Sequence, residues 1–144
     1  MLVKEVMSNG VRTASPEDSV KQAACLMNES MIGCLIVISG TGNIEGIVTE
    51  RDILRNVVAE GRDSNSVNVG EIMTRNLVVI TPDVSLEDAA DVMTKNKIKK
   101  LPVVEDGRLV GIVTATDLVT FEKDLIEKVA ELLTVTPPMK RIGG

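Results

Sequence analysis

Apolar residues along this chain recur with two alternating periods, and the whole alternation happens twice. Val20, Ala23, Ala24 and Met27 fall at i, i+3, i+4 and i+7, as do Leu86, Ala89, Ala90 and Met93. Each set predicts a helix with one apolar stripe. Ser19 and Ser85 are N-cap candidates, each with a partner three residues on: Gln22, and Asp88, a shorter substitute. The β-rich runs 35–38 with 44–48, and 101–104 with 109–113, are joined by turns rich in Gly, Asn or Asp and predict two hairpins. A second helix follows each hairpin. The first spans 50–59 and stops near Gly61. The other spans 115–133, with Leu118, Phe121, Leu125, Val129 and Leu132 at helical spacing, and is ended by Pro137-Pro138 before a tail, Gly143-Gly144, expected to fray. Short helical lead-ins (3–7; 69–73) and brief strands (11–14; 77–80) precede Pro16 and Pro82.

The chain is therefore a duplication. Val3-Lys4-Glu5-Val6-Met7-Ser8 returns as Val69-Gly70-Glu71-Ile72-Met73-Thr74, an offset of 69 − 3 = 66. Gly46-Ile47-Val48-Thr49-Glu50-Arg51-Asp52 returns as Gly111-Ile112-Val113-Thr114-Ala115-Thr116-Asp117, at 111 − 46 = 65 because the loop near 40–42 holds one extra residue. The expected class is α+β: two pseudo-symmetric β-α-β-β-α repeats packed sheet to sheet. Residues 1–66 form the first repeat with a polar linker over 60–68, 67–124 the second, and 125–144 a helical extension and tail. A repeat of about 60 residues buries little apolar surface alone, so the halves are expected to share a core. The crevices between them are natural places for a ligand.

Composition narrows the function classes. With 44% apolar and 26% charged residues, the chain reads as globular. No apolar run approaches the ~20 residues that span a bilayer. A start with Lys4 and Glu5 does not resemble a secretory signal, so cytoplasmic residence is expected. Cys25 and Cys34 lack counterparts in the second repeat and read as small buried hydrophobes. A net charge of −5, no Trp or Tyr, and Phe121 as the single aromatic argue against nucleic-acid binding. A bound purine would have to be sandwiched by aliphatic side chains. The absence of His removes the imidazole base and the His metal ligand. Catalysis is the weakest reading, since no nucleophile, base and orienting group assemble.

The repeated Gly-Ile-Val-Thr-x-x-Asp places a hydroxyl and a carboxylate where a buried strand meets a helix. One reading is structural: Thr49 and Thr114 cap the helix, and Asp52 and Asp117 reach back as in a capping box. The other is functional. A helix start offers N–H groups and a positive dipole end to a phosphate, the Thr hydroxyl adds a donor, and the Asp accepts from a ribose diol.

Taken together, the Met-Ser/Thr lead-in, the capped Ala-Ala-x-x-Met helix, Leu101-Pro102-Val103-Val104 and the twofold Gly-Ile-Val-Thr-x-x-Asp resemble a tandem pair of cystathionine β-synthase (CBS) domains over about residues 3–122. The resemblance implies a regulatory sensor, not a catalyst, that binds AMP, ADP, ATP or S-adenosylmethionine between its repeats. It needs no cofactor, and Mg²⁺ would arrive only with a polyphosphate. It implies that Asp52 and Asp117 hold ribose hydroxyls, with Thr49, Thr114 and Arg51 near phosphates. In one kinase regulatory subunit of the family, a basic pair just before the second β-run contacts the nucleotide phosphates, and the matching positions here are Lys99-Lys100 in the second repeat and Gly33-Cys34 in the first. By the family's cross-repeat geometry Lys99 and Lys100 would serve the Asp52 cleft, and Gly33 and Cys34 the Asp117 cleft. The Asp52 cleft would then prefer phosphorylated adenosines. A homodimer covering the last helix and a separate effector protein are further expectations, with neither nucleic acid nor membrane as partner. The competing expectation is a structural module that dimerises and binds no small molecule.

Overall fold

A computed structural model describes residues 1–134. Pro137-Pro138 and Gly143-Gly144 lie outside them. A single 3-10 turn, Val3–Glu5, leads into β1 (Thr13–Ala14), α1 (Val20–Ser30), β2 (Cys34–Ile38) and β3 (Ile44–Thr49). The helix after β3 starts as α2 (Glu50–Ile53) and continues as a π turn, Leu54–Val58, ended by Gly61 with φ 66. The second repeat comprises α3 (Val69–Ile72), α4 (Leu86–Asn96), β4 (Lys100–Glu105), β5 (Arg108–Thr114) and α5 (Ala115–Thr134). Both hairpins form where the β-rich runs predicted them, and the class is α+β.

The caps form as the sequence implies, with one difference. Ser19 Oγ accepts from the Gln22 N–H at 3.0 Å, and Gln22 Oε1 accepts from the Ser19 N–H at 2.8 Å. Ser85 Oγ accepts from the Asp88 N–H at 3.0 Å, but no return bond from Asp88 completes the box.

The expected strand over 77–80 shrinks to a parallel bridge between Ile80 and Val103. In the first repeat the corresponding β1 pairs with β2, Thr13 opposite Ile36. Ile80 donates to the Pro102 carbonyl (3.1 Å) and accepts from the Val104 N–H (2.8 Å). The next ladder bond toward Val78 would need an N–H from residue 102, and proline has none. Where the first repeat has Ile36, the second has Pro102, and that ends the ladder.

The shared core is realised as two cores, each completed by the other repeat. Val69, Ile72 and Met73, from the second lead-in, are buried with Val20, Ala23, Met27, Leu35, Val37 and Val48 of the first repeat. Val3 is buried with Ile80, Ala89, Met93, Leu101, Val103 and Val113 of the second, and Val6 and Met7 pack beside it. Backbone bonds tie down the exchange. Val3 donates to Val84 (2.8 Å), Ser8 and Ile112 exchange bonds (2.9 and 3.1 Å), and Thr74 and Ile47 do the same (2.8 and 3.0 Å). Val67, inside the segment expected to be a polar linker, is also buried in the first core. Ile36 and Pro102, on the opposite faces of β2 and β4, are fully buried outside both clusters.

Candidate functional site

Each motif sits where a strand turns directly into a helix. Thr49 is extended (φ −121, ψ 164), ends β3 and caps α2. Its N–H donates to Asp52 Oδ2 at 2.9 Å, while the Asp52 N–H donates to Thr49 Oγ1 at 3.1 Å. The second copy repeats these bonds between Thr114 and Asp117 at 2.9 and 3.1 Å. All four side chains are half-buried. The structural reading of Thr-x-x-Asp is thus realised in both repeats.

That role leaves chemistry unspent. The cap uses one carboxylate oxygen, Oδ2, and among the described residues no hydrogen bond falls on Oδ1 of Asp52 or Asp117. The Thr hydroxyl accepts in the cap, which leaves its own proton to donate. The expected row of free N–H groups is smaller than the sequence implied. Glu50 donates to the Gly33 carbonyl (3.0 Å) and Ala115 to the Lys99 carbonyl (2.8 Å). With Asp52 and Asp117 engaged as well, the Arg51 and Thr116 N–H groups are the ones left open in the first turns among the described residues.

The remaining candidates fall beside these turns. Cys34 pairs with Thr49, and Lys100 with Thr114, at the mouth of each hairpin. Gly33, Cys34 and Lys100 are half-buried, whereas Lys99 and Arg51 are exposed. The backbone of each pair is therefore fixed at the motif of its own repeat. Cys25 is exposed, contrary to its expected burial, because it lies off the Ala23 and Met27 stripe of α1.

Sequence reasoning missed Glu50. Its carboxylate lies over Gly33, in the space that a side chain there would fill. The first repeat thus offers a carboxylate where the second offers Lys99 and the neutral Ala115. The signal was available: a glycine facing a helix-start glutamate in one copy, a lysine facing an alanine in the other.

An open concavity of ≈ 530 Å³ reaches the first motif at Glu50 and is also lined by Met27, Met31, Gly33 and Ile53. Two concavities of ≈ 590 and ≈ 490 Å³ lie between the repeats at equivalent places, Val11 and Ile38 matching Leu77 and Val104. They are lined by the hairpin turns and the β1 segments, not by the motif residues. Among the described residues no group of three or more His, Cys, Asp or Glu gathers as a metal site, and no helix is long and apolar enough to cross a membrane.

Fold and site together define a class: a duplicated α+β module with a capped strand-to-helix turn at equivalent places in both copies and crevices between them. CBS domains match residues 3–59 and 69–124, and the chain belongs to that family. It is 40% identical over 116 residues to the CBS domain-containing protein YhcV of Bacillus subtilis, covering 81% of each chain. It is 42% identical over 109 residues to the inosine-5'-monophosphate dehydrogenase of Korarchaeum cryptofilum, which spans 75% of this chain but 21% of that enzyme. Among solved structures, the CBS domain pair of protein MJ0100 in complex with 5'-methylthioadenosine and S-adenosyl-L-methionine superposes with a TM-score of 0.77 at 32% identity, over 86% of this chain and 97% of that one. The chain is a CBS pair, a regulatory type of module.

Proposed function

We propose that this CBS pair is a sensor that binds an adenosine derivative (AMP, ADP, ATP or S-adenosylmethionine) between its repeats, works as a homodimer without catalysing a reaction, and relays occupancy to a separate protein. The observation that carries the reading is the twin carboxylate: Asp52 and Asp117 are each oriented by a cap and each keep Oδ1 uncommitted for a sugar hydroxyl. The similar pair solved with two adenosine compounds supports the ligand class.

The two sites are expected to differ. Lys99 and Lys100 would supply positive charge to the cleft of Asp52, Thr49 and Arg51. The cleft of Asp117 and Thr114 would receive Gly33 and Cys34, with the Glu50 carboxylate on Gly33 opposing anionic groups. Lys–phosphate contacts are charge-assisted and strengthen where water is partly excluded. Mg²⁺ would enter only with a bound polyphosphate.

A specific observation favours the alternative of a structural module without ligand: both Thr-x-x-Asp boxes are closed and serve the fold on their own. A melting-temperature screen with AMP, ADP, ATP and S-adenosylmethionine separates the two, since a ligand that binds only the folded state must raise the midpoint. The sensor reading expects a rise that Asp52→Ala or Asp117→Ala diminishes. It also expects Lys99→Ala/Lys100→Ala to weaken ATP more than S-adenosylmethionine. No rise with any of the four leaves the structural module.

A further inference from the structure

The two repeats carry opposite charge at one matching place. α1 and α4 are both 11 residues long, open on Ser19 and Ser85, and end in the same left-handed turn, with Met31 and Lys97 each at φ 55. A helix C-terminus is the negative end of the dipole and favours cations. The second repeat answers it with Lys95, Lys97 and Lys99, beside the neutral Ala115. At the four matching positions the first repeat has Glu29, Met31, Gly33 and Glu50. Three lysines and no carboxylate thus become two carboxylates and no cation around the same backbone turn. Among the described residues the Glu29 and Glu50 carboxylates take no hydrogen bond or ion pair, and Arg51, next to Glu50, makes no ion pair with it.

The unanswered charge lies in a hollow. The open concavity of ≈ 530 Å³ at the first motif is walled by Ala24, Met27, Met31, Ile32 and Ile53, and the Glu50 carboxylate is the one charged group in its lining. Gly33 gives that carboxylate its room, since a side chain there would displace it. The volume is of the size that takes small molecules, and exceeds what one lysine side chain fills. Methionine walls are unbranched and adapt to irregular shapes. We propose that this hollow binds a small organic cation of the alkylammonium type. Its charge pairs with Glu50 at the negative end of α1, and its apolar body lies along Met27, Met31 and Ile53. The site goes beyond the adenosine reading and does not rest on it.

Hexylammonium, hexanol and hexanoate carry the same chain with positive, no and negative charge, and titrating each into the full chain tests the site. The readout is the methyl NMR shift of Met27 and Met31, with Met93, the counterpart of Met27 in the second repeat, as the control. Hexylammonium is expected to bind with Kd of about 1 mM, and hexanoate at least ~tenfold more weakly. Glu50→Gln should weaken hexylammonium by about fivefold, as an exposed ion pair allows. Gly33→Ala keeps the charge but displaces it, and should weaken binding to a similar degree. Its Cβ meets only the flexible Glu50 side chain and its backbone lies outside the left-handed region, so folding is retained. Equal binding of the three probes makes the hollow a plain apolar depression and overturns the proposal. So does hexylammonium binding that either variant leaves unchanged, or a Met93 shift as large as those of Met27 and Met31. Met31 shifts that follow protein concentration and vanish in Lys97→Glu would put lysines of a second copy in the hollow, which overturns it too. The probes contain no adenosine, so their failure leaves nucleotide binding untouched, and a flat melting-temperature screen leaves this site standing.

Discussion

Val3 is a residue of one repeat that belongs to the core of the other, and Val3→Ala tests that exchange. Its side chain is fully buried among Ile80, Ala89, Met93, Leu101, Val103 and Val113. Truncation removes two methyl groups, worth about 1.6 kcal/mol of transfer free energy at ~0.8 each. The space left behind adds about 1 kcal/mol, because the lead-in is pinned by backbone bonds to Val84, Pro82 and Ile112 and cannot collapse inward. The expected loss is about 2–3 kcal/mol, a large share of the ~5–15 kcal/mol that holds a domain folded. Urea unfolding with an unchanged slope measures the total. Hydrogen exchange gives its location, which is the sharper readout. Val3→Ala should deprotect β4 and β5 before β2 and β3, and Val69→Ala, the equivalent change, should do the reverse. A loss below about 0.5 kcal/mol, well under the transfer value alone, refutes the reasoning. Deprotection of β2 and β3 by Val3→Ala refutes it as well.

Four further outcomes follow from the structure. Gly46→Ala would drive a Cβ into the Thr74 carbonyl and the Met73 side chain, and at Gly111 the intruding atom would lie 2.6 Å from Met7 Sδ and 2.9 Å from the Ser8 oxygen. Losing the paired bonds between Ile47 and Thr74 costs about 1 kcal/mol each, and alanine's better fit to a strand returns ~0.5–1, so denaturation should register a net loss of about 1–1.5 kcal/mol. Gly40→Ala, with nothing within 4 Å, should be silent. Thr114→Ala should cost about 1 kcal/mol in thermal unfolding through the lost cap, with Thr114→Ser recovering most of it. The Glu71 carboxyl is held below its ordinary 4.5, chiefly by the Asn68 N–H it accepts and then by Arg62. A lowered folded value gives stability that is present above 4.5 and lost as pH falls through the folded value. The stability gap between wild type and Glu71→Gln should therefore close in acid titrations below pH 4.5.

What the sequence disclosed was whatever is local. Ser19 with Gln22, the two alanine-bearing stripes and the hairpins are set by period and cap chemistry within a dozen residues, and they form as those rules require. The lead-ins were harder. Their apolar residues demand burial, but with two nearly identical cores available nothing in the local pattern says which core receives Val3 or Val69. Val67 was hidden for a related reason: one valine in a polar stretch has no period. Pro102 was visible, yet its consequence, a strand cut to one bridge, depends on a partner that only topology supplies. At the site, the capping geometry of Thr49 and Asp52 was legible as one of two readings. For the Glu50 carboxylate over Gly33 the residue pair stood in the sequence, but its meaning depends on the close approach of the β2 start to the α2 start.

The exchange also gives the duplicated motif a mechanical consequence. Each Gly-Ile-Val-Thr strand is gripped at its glycine and isoleucine by the segment on its way to the other repeat: Thr74 on Ile47, Ser8 on Ile112. The grip lies two residues from the capping threonine, and the glycine is needed there because the passing backbone leaves no room for a Cβ. A displacement of β3 at Thr49 must therefore carry the Ile47–Thr74 pair, and with it the root of the chain that runs to Ile80 and the second core. Coupling between two sites requires a physical element that both can bias. The crossed lead-ins join each motif strand to the core of the other repeat, a connection that a single unduplicated repeat would lack.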